Sequence, residues 1–177
     1  MRIRLLLLAL LVLLTGTGCA KKQDTQKPSP DVSAALNAPF STSANISYKE
    51  LAATAVLSRE TPQACTVTFS SPASLKDMSF MFTQDLVTIR YKGLSFDVDP
   101  ADIPTSNAAR IAVAAINKVT SDQGLTVDYT DTALAFSGVM ESGAFTLKLD
   151  RENGSLLKLS VPSEELEIEF VSFEFLA

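Results

Sequence analysis

From Phe40 onward, apolar residues recur at every second position. Phe40, Thr42, Ala44, Ile46 and Tyr48 form the first such set, followed by Ala53, Ala55 and Leu57, then Cys65, Val67 and Phe69. After a break at Ser71-Pro72 come Met78, Phe80 and Phe82, then Val87, Ile89 and Tyr91, then Leu94, Phe96 and Val98. A period of two places each set on one face of a β-strand. The links at Gln84-Asp85 and Lys92-Gly93 are too short for a crossover, so neighbouring strands must run antiparallel.

The pattern changes after Asp99-Pro100. Pro104-Thr105-Ser106 supplies a helix start with a hydroxyl cap. In residues 107–119 the polar members Asn107, Arg110, Asn117 and Lys118 fall three to four, or seven, apart. That spacing predicts a helix with a wide buried face, ended by Gly124. Alternation then resumes at Leu125, Val127 and Tyr129, at Leu134 and Phe136, and at Phe145, Leu147 and Leu149. Asn153-Gly154 signals a hairpin into Leu157, Leu159 and Val161. In the last run, Leu166, Ile168 and Phe170 alternate with Glu165, Glu167 and Glu169, and Phe173 and Phe175 continue out of phase, which predicts a bulge or bend across Val171-Ser172.

These elements amount to about ten strands and one helix, a mainly β (α+β) chain. One face of so long a sheet has to be covered. A helix of thirteen residues is only about 20 Å long, too short to cover ten flat strands. The expected architecture is a curled antiparallel sheet, or half-barrel, wrapped around one central helix.

The first eighteen residues follow a different rule. Arg2 and Arg4 precede an apolar run from Leu5 to Leu14, then Gly16, Thr17, Gly18 and Cys19. The run is about half the roughly 20 residues that cross a bilayer, which marks a secretory signal rather than a permanent span. Thr15-Gly16-Thr17-Gly18-Cys19 resembles the lipobox of bacterial lipoproteins. In that family the cysteine is acylated with palmitate-type chains and becomes the first mature residue. The resemblance implies a signal peptide at 1–18, a lipidated Cys19 with a polar tether through residue 38, and a single domain at 39–177. It also implies a chain anchored to the cell membrane and facing its extracytoplasmic side. Two or more acyl chains give stable attachment where one is marginal.

Charge refines this picture. The chain has 177 residues, 15 basic and 20 acidic, with no histidine and no tryptophan. Residues 39–177 hold 10 of the basic side chains and 18 of the acidic ones. So acidic a body does not suit nucleic acid and should stand off an anionic membrane. Absence of histidine removes the commonest metal ligand and histidine-dependent catalysis. Cys65 shares a face with Val67 and Phe69 and reads as a buried apolar residue. Asp97, Asp99 and Asp102 lack EF-hand spacing, and they, with Asp128 and Asp131, read as turn and cap residues. No catalytic residue, metal ligand or cofactor motif is expected.

A lipobox, a polar tether and an antiparallel meander with an inserted helix together resemble the LolA/LolB/LppX-like group of bacterial envelope proteins. The segment from Asp150 to Leu159, DRENGSLLKL, also resembles small lipoproteins of clostridia-like bacteria. The first resemblance implies a non-enzymatic protein that holds a lipid or other hydrophobic ligand in a curved-sheet cavity. Met78, Phe80, Phe82, Phe96, Phe136 and Phe145 are the candidate lining, since Met and Phe adapt to irregular apolar ligands. The alternative is a docking module for an envelope enzyme or protein partner, working through an edge strand or the acidic face at Glu164, Glu165, Glu167 and Glu169.

Overall fold

A computed structural model describes residues 30–121 and 124–176. Cys19 and the signal segment lie outside the described residues. Eleven strands form one antiparallel sheet: β1 (Phe40–Tyr48), β2 (Leu51–Thr61), β3 (Ala64–Ser71), β4 (Ser79–Phe82), β5 (Val87–Tyr91), β6 (Leu94–Val98), β7 (Thr126–Tyr129), β8 (Ala133–Met140), β9 (Gly143–Asp150), β10 (Leu156–Val161) and β11 (Leu166–Phe175). Among the described residues two α-helices accompany them, α1 (Pro30–Asn37) and α2 (Ala108–Ser121). The strand order is β6-β5-β4-β3-β2-β1-β11-β10-β9-β8-β7. Each chain neighbour pairs with the next except across α2, and the last strand returns to pair with the first. β6 and β7 would close the ring, but α2 joins them instead. The result is the curled, unclosed antiparallel half-barrel that the sequence pattern predicts.

Side-chain alternation decides which face points inward. In β2 the buried positions are Ala53, Ala55, Leu57 and Arg59, and in β3 they are Cys65, Val67 and Phe69. Cross-strand register aligns them into rows: Val67 faces Leu57 on one side and Phe80 on the other, and Ile46 faces Ala53 and Ile168. Among the two helices, α2 supplies the wide apolar face its spacing predicts, with Ala109, Ile111, Ala112, Val113, Ala115, Ile116 and Val119 all buried. Each fully buried isoleucine stabilises the fold by about 1.5–3 kcal/mol.

The helix starts one residue later than the polar spacing suggests. Its cap is Asn107 rather than a hydroxyl: Asn107 Oδ1 accepts from the Arg110 backbone N–H at 3.1 Å, and the Asn107 carbonyl accepts from Ile111 at 2.9 Å. Residues 30–37, inside the stretch read as tether, form α1, with Pro30 in its first position, where proline is best tolerated. Leu36 is fully buried and α1 packs against α2.

The bulge expected near Val171 is present. Ser43 pairs with Ser172 but Ala44 pairs with Phe170, which leaves Val171 unopposed. The extra residue flips the phase so that Phe173 stacks on Phe40 at 4.9 Å between centroids. At Asn153-Gly154 the hairpin forms with a longer loop than a two-residue turn. Asp150 Oδ1 accepts from the N–H groups of Glu152 (2.8 Å) and Asn153 (3.0 Å), which stretches the connection to Arg151–Ser155.

Candidate functional site

The concave face divides into a covered and an uncovered part. α2 packs on β8 and β9 from one side and on β4 from the other. Beneath it, Phe136 and Phe145 are 1% and 2% exposed, and Phe80 and Phe82 are also buried. Phe80 makes ring contacts with Phe69 and Phe82, each at 6.3 Å. Phe145 lies opposite Gly138. A Cβ at Gly138 would come within 2.7 Å of Leu125 Cδ2 and 3.1 Å of Phe145 Cε1, so this corner is tightly filled. Four of the six candidate lining residues are therefore packed in the core.

The other two lie toward the β6 edge. Met78 is half-buried, and Phe96, which pairs with Ile89, is 54% exposed. Ile89 and Tyr91 are half-buried beside it, and Leu94 is 60% exposed. The apolar alternation of the sheet thus runs on past the point where the helix covers it.

A different opening lies on the convex side, where the strands crease. The pairing of β2 with β3 slips between Thr54 and Ala55, and Ser71 Oγ fills the gap by accepting from the Thr54 N–H at 3.0 Å. A cavity of about 410 Å³ forms there, lined among others by Asn45, Ser47, Thr54, Ser71, Glu167 and Glu169. Lys158 Nζ sits 3.0 Å from Glu167 Oε2 and 3.8 Å from Glu169 Oε1. Exposed pairs of this kind contribute little to stability, so the carboxylates are free to exchange partners. Glu165 lies outside this lining, in the left-handed cap of the turn at 162–164.

Two of the aspartates serve the backbone and a neighbouring side chain. Asp99 Oδ1 accepts from the Ala101 N–H at 2.8 Å, and Asp97 Oδ1 accepts from Thr88 Oγ1 at 2.7 Å. A smaller cavity of about 130 Å³ lies beside Arg110 and Glu141, whose side chains meet at 3.2 Å.

Arg59 is the polar residue that the alternation reading overlooked. It continues the inward phase of Ala53, Ala55 and Leu57, which was the available signal. The side chain is 2% exposed, and burial lowers its pKa. Nη1 donates to Asn117 Oδ1 at 2.7 Å and Nη2 to the Pro62 carbonyl at 2.8 Å, while Nε has no partner among the described residues. Opposite it in register is Cys65, whose thiol burial pushes up to about 12, with the guanidinium pulling the other way. A thiol held protonated in this way is inert as a nucleophile.

No protein-family model matches the chain, and no curated protein matches its sequence. Solved structures do match its shape. An uncharacterized conserved protein from Thermus thermophilus superposes with a TM-score of 0.55 at 14% identity, over 82% of this chain and 83% of that one. A LolA superfamily protein from Nitrosomonas europaea aligns with a TM-score of 0.42 at 8% identity, over 80% and 87%. The structure of the CwlD amidase from Clostridioides difficile in complex with the GerS lipoprotein gives 0.46 at 11%, over 71% and 76%. At 14% identity the likeness to the Thermus thermophilus protein is one of fold alone. Among the described residues no helix is long and apolar enough to cross a membrane.

Proposed function

We propose that this chain is an extracytoplasmic lipoprotein, held at the cell membrane by acylated Cys19, that works without catalysis as a docking module for an envelope protein. The observation that supports docking is the opening found, among the described residues, on the outer face of the sheet. Phe80, Phe82, Phe136 and Phe145 are packed in the core, whereas the 410 Å³ opening lies outside, among hydrogen-bonding and acidic groups. Asn45, Ser47, Thr54 and Ser71 offer donors and acceptors, and Glu167 and Glu169 offer charge, to a basic segment of a partner. Such a segment would take the place of Lys158 between the two carboxylates. The net negative body would steer it there.

The test is capture from envelope extracts with the membrane-borne chain. A single protein retained by the wild type and lost with Glu167→Lys plus Glu169→Lys supports the reading. Retention unchanged by the double reversal rejects this surface.

A second reading is favoured by the half-buried strip at Met78, Ile89 and Tyr91 with exposed Phe96 beside it. There an apolar ligand would lie against the uncovered end of the concave face. Native mass spectrometry of residues 20–177, purified without detergent, separates the two. A discrete lipid mass supports the ligand, and a clean apo mass supports docking.

A further inference from the structure

Among the described residues, the two edge strands of the sheet are not alike. β7 keeps Val127 and Tyr129 half-buried, but β6 is exposed at every position from Leu94 to Asp97. Its backbone pairing follows from the turn before it. Lys92 and Gly93 both have positive φ, 48° and 81°, and Tyr91 pairs with Leu94. This is a two-residue turn of the primed type, whose closing residues exchange hydrogen bonds. Bonded and non-bonded pairs then alternate along the hairpin. Leu94, Phe96 and Val98 turn their N–H and C=O groups inward to β5, and Ser95 and Asp97 turn theirs outward, where the sheet order holds no further strand.

We propose that β6 is a self-association edge, pairing antiparallel with β6 of a second copy about a two-fold axis through Phe96. In that register Ser95 lies opposite Asp97 of the second copy, and Asp97 opposite its Ser95. Both are the residues with outward-facing backbone groups, so four hydrogen bonds form without altering the hairpin. Centring the axis on Asp97 would set two like charges face to face, which is unfavourable. Centring it on Ser95 would set Asp97 against Gly93 in the turn and leave one bonded pair. Centring it between residues would oppose outward groups to inward ones. On the concave face, the Phe96 register sets the two exposed rings together at the close spacing of a non-bonded pair and Leu94 beside Val98. On the other face, the Ser95 hydroxyl donates to the Asp97 carboxylate. The contact is isologous and closes at two copies.

A five-residue strand makes a small interface, below the roughly 1,200 Å² of stable complexes. Association is therefore weak in dilute solution and is strengthened where two copies share a membrane surface.

The experiment is oxidative cross-linking of the full chain in membranes, read as dimer on a non-reducing gel, with wild type setting the background. Phe96→Cys places two thiols across the axis, whereas residues at 94 lie about 13 Å apart, four strand positions. Phe96→Cys is expected to give at least about tenfold more dimer than Leu94→Cys or Ser95→Cys, given the reach of a disulfide. Leu94→Cys combined with Val98→Cys should recover it through an independent pair. Adding Ser95→Pro to Phe96→Cys should abolish it, because that proline removes only an outward N–H. Equal dimer at positions 94, 95 and 96, or none above background at 96 and in the 94/98 pair, overturns the proposal.

Discussion

Phe136 on β8 and Phe96 on β6 occupy equivalent places in the alternation, each an inward-phase aromatic on a short antiparallel strand. Phe136 is 1% exposed and Phe96 is 54% exposed. The difference lies in what faces them. α2 packs chiefly over β8, β9 and β4, and at fourteen residues it is about 21 Å long, while β6 stays exposed from Leu94 to Asp97. The curled sheet therefore has one half with a finished core and one edge with apolar side chains to spare. Hydrophobic pattern states which face a residue takes, and the reach of the covering element states whether that face is dry.

The largest effect should come from the finished half. Phe136→Ala is expected to cost about 3–5 kcal/mol, as aromatic deletions in packed cores do. Phe96→Ala should move stability by no more than about 0.5 kcal/mol, since exposed substitutions rarely do more. Urea denaturation of both variants checks the contrast, and equal losses would mean that the β6 edge is covered after all.

Arg59 sharpens the comparison from inside the core. It is a buried cation with no carboxylate within ion-pair distance among the described residues. Replacing a buried charge with an apolar side chain of similar size is often neutral or stabilising. Arg59→Met should hold stability or raise it by up to about 2 kcal/mol. Arg59→Ala, which leaves a cavity, should lower it by about 2 kcal/mol. Thermal unfolding of the pair decides whether the guanidinium stabilises the fold through Asn117 and Pro62: a clear loss in Arg59→Met would show that it does.

Cys65 gives a smaller, pH-dependent effect. Its thiol rises to about 12 in the folded chain from an ordinary 9.0. The folded state then holds the proton more tightly than the unfolded one, so stability should fall as pH rises above 9.0 toward 12. Below that window the group contributes no pH dependence. At pH 8 the thiol should react with iodoacetamide at the unfolded rate only after urea is added, and ready labelling of the native chain would contradict its burial.

The smallest effect belongs to the convex crease. Glu167→Lys with Glu169→Lys breaks only exposed ion pairs with Lys158. It should change unfolding free energy by less than about 1 kcal/mol, which is what makes it a clean probe of docking.

Much of this was legible along the chain. The strand phases, the antiparallel order implied by short links, the single long helix and the phase slip at Val171-Ser172 all follow from local periodicity, because side-chain direction is fixed within each strand or helix. The inward phase of Arg59 was equally readable and was hidden only by the residue type. Three things belonged to tertiary structure. The sequence could not say that α1 would dock Leu36 beside α2, nor that Thr54 and Ser71 would open a crease on the convex face. Nor could it say that Phe80, Phe82, Phe136 and Phe145 would be sealed while Phe96 stayed open. Each depends on how far one element reaches across others distant in the chain, and a repeating pattern carries direction but not reach.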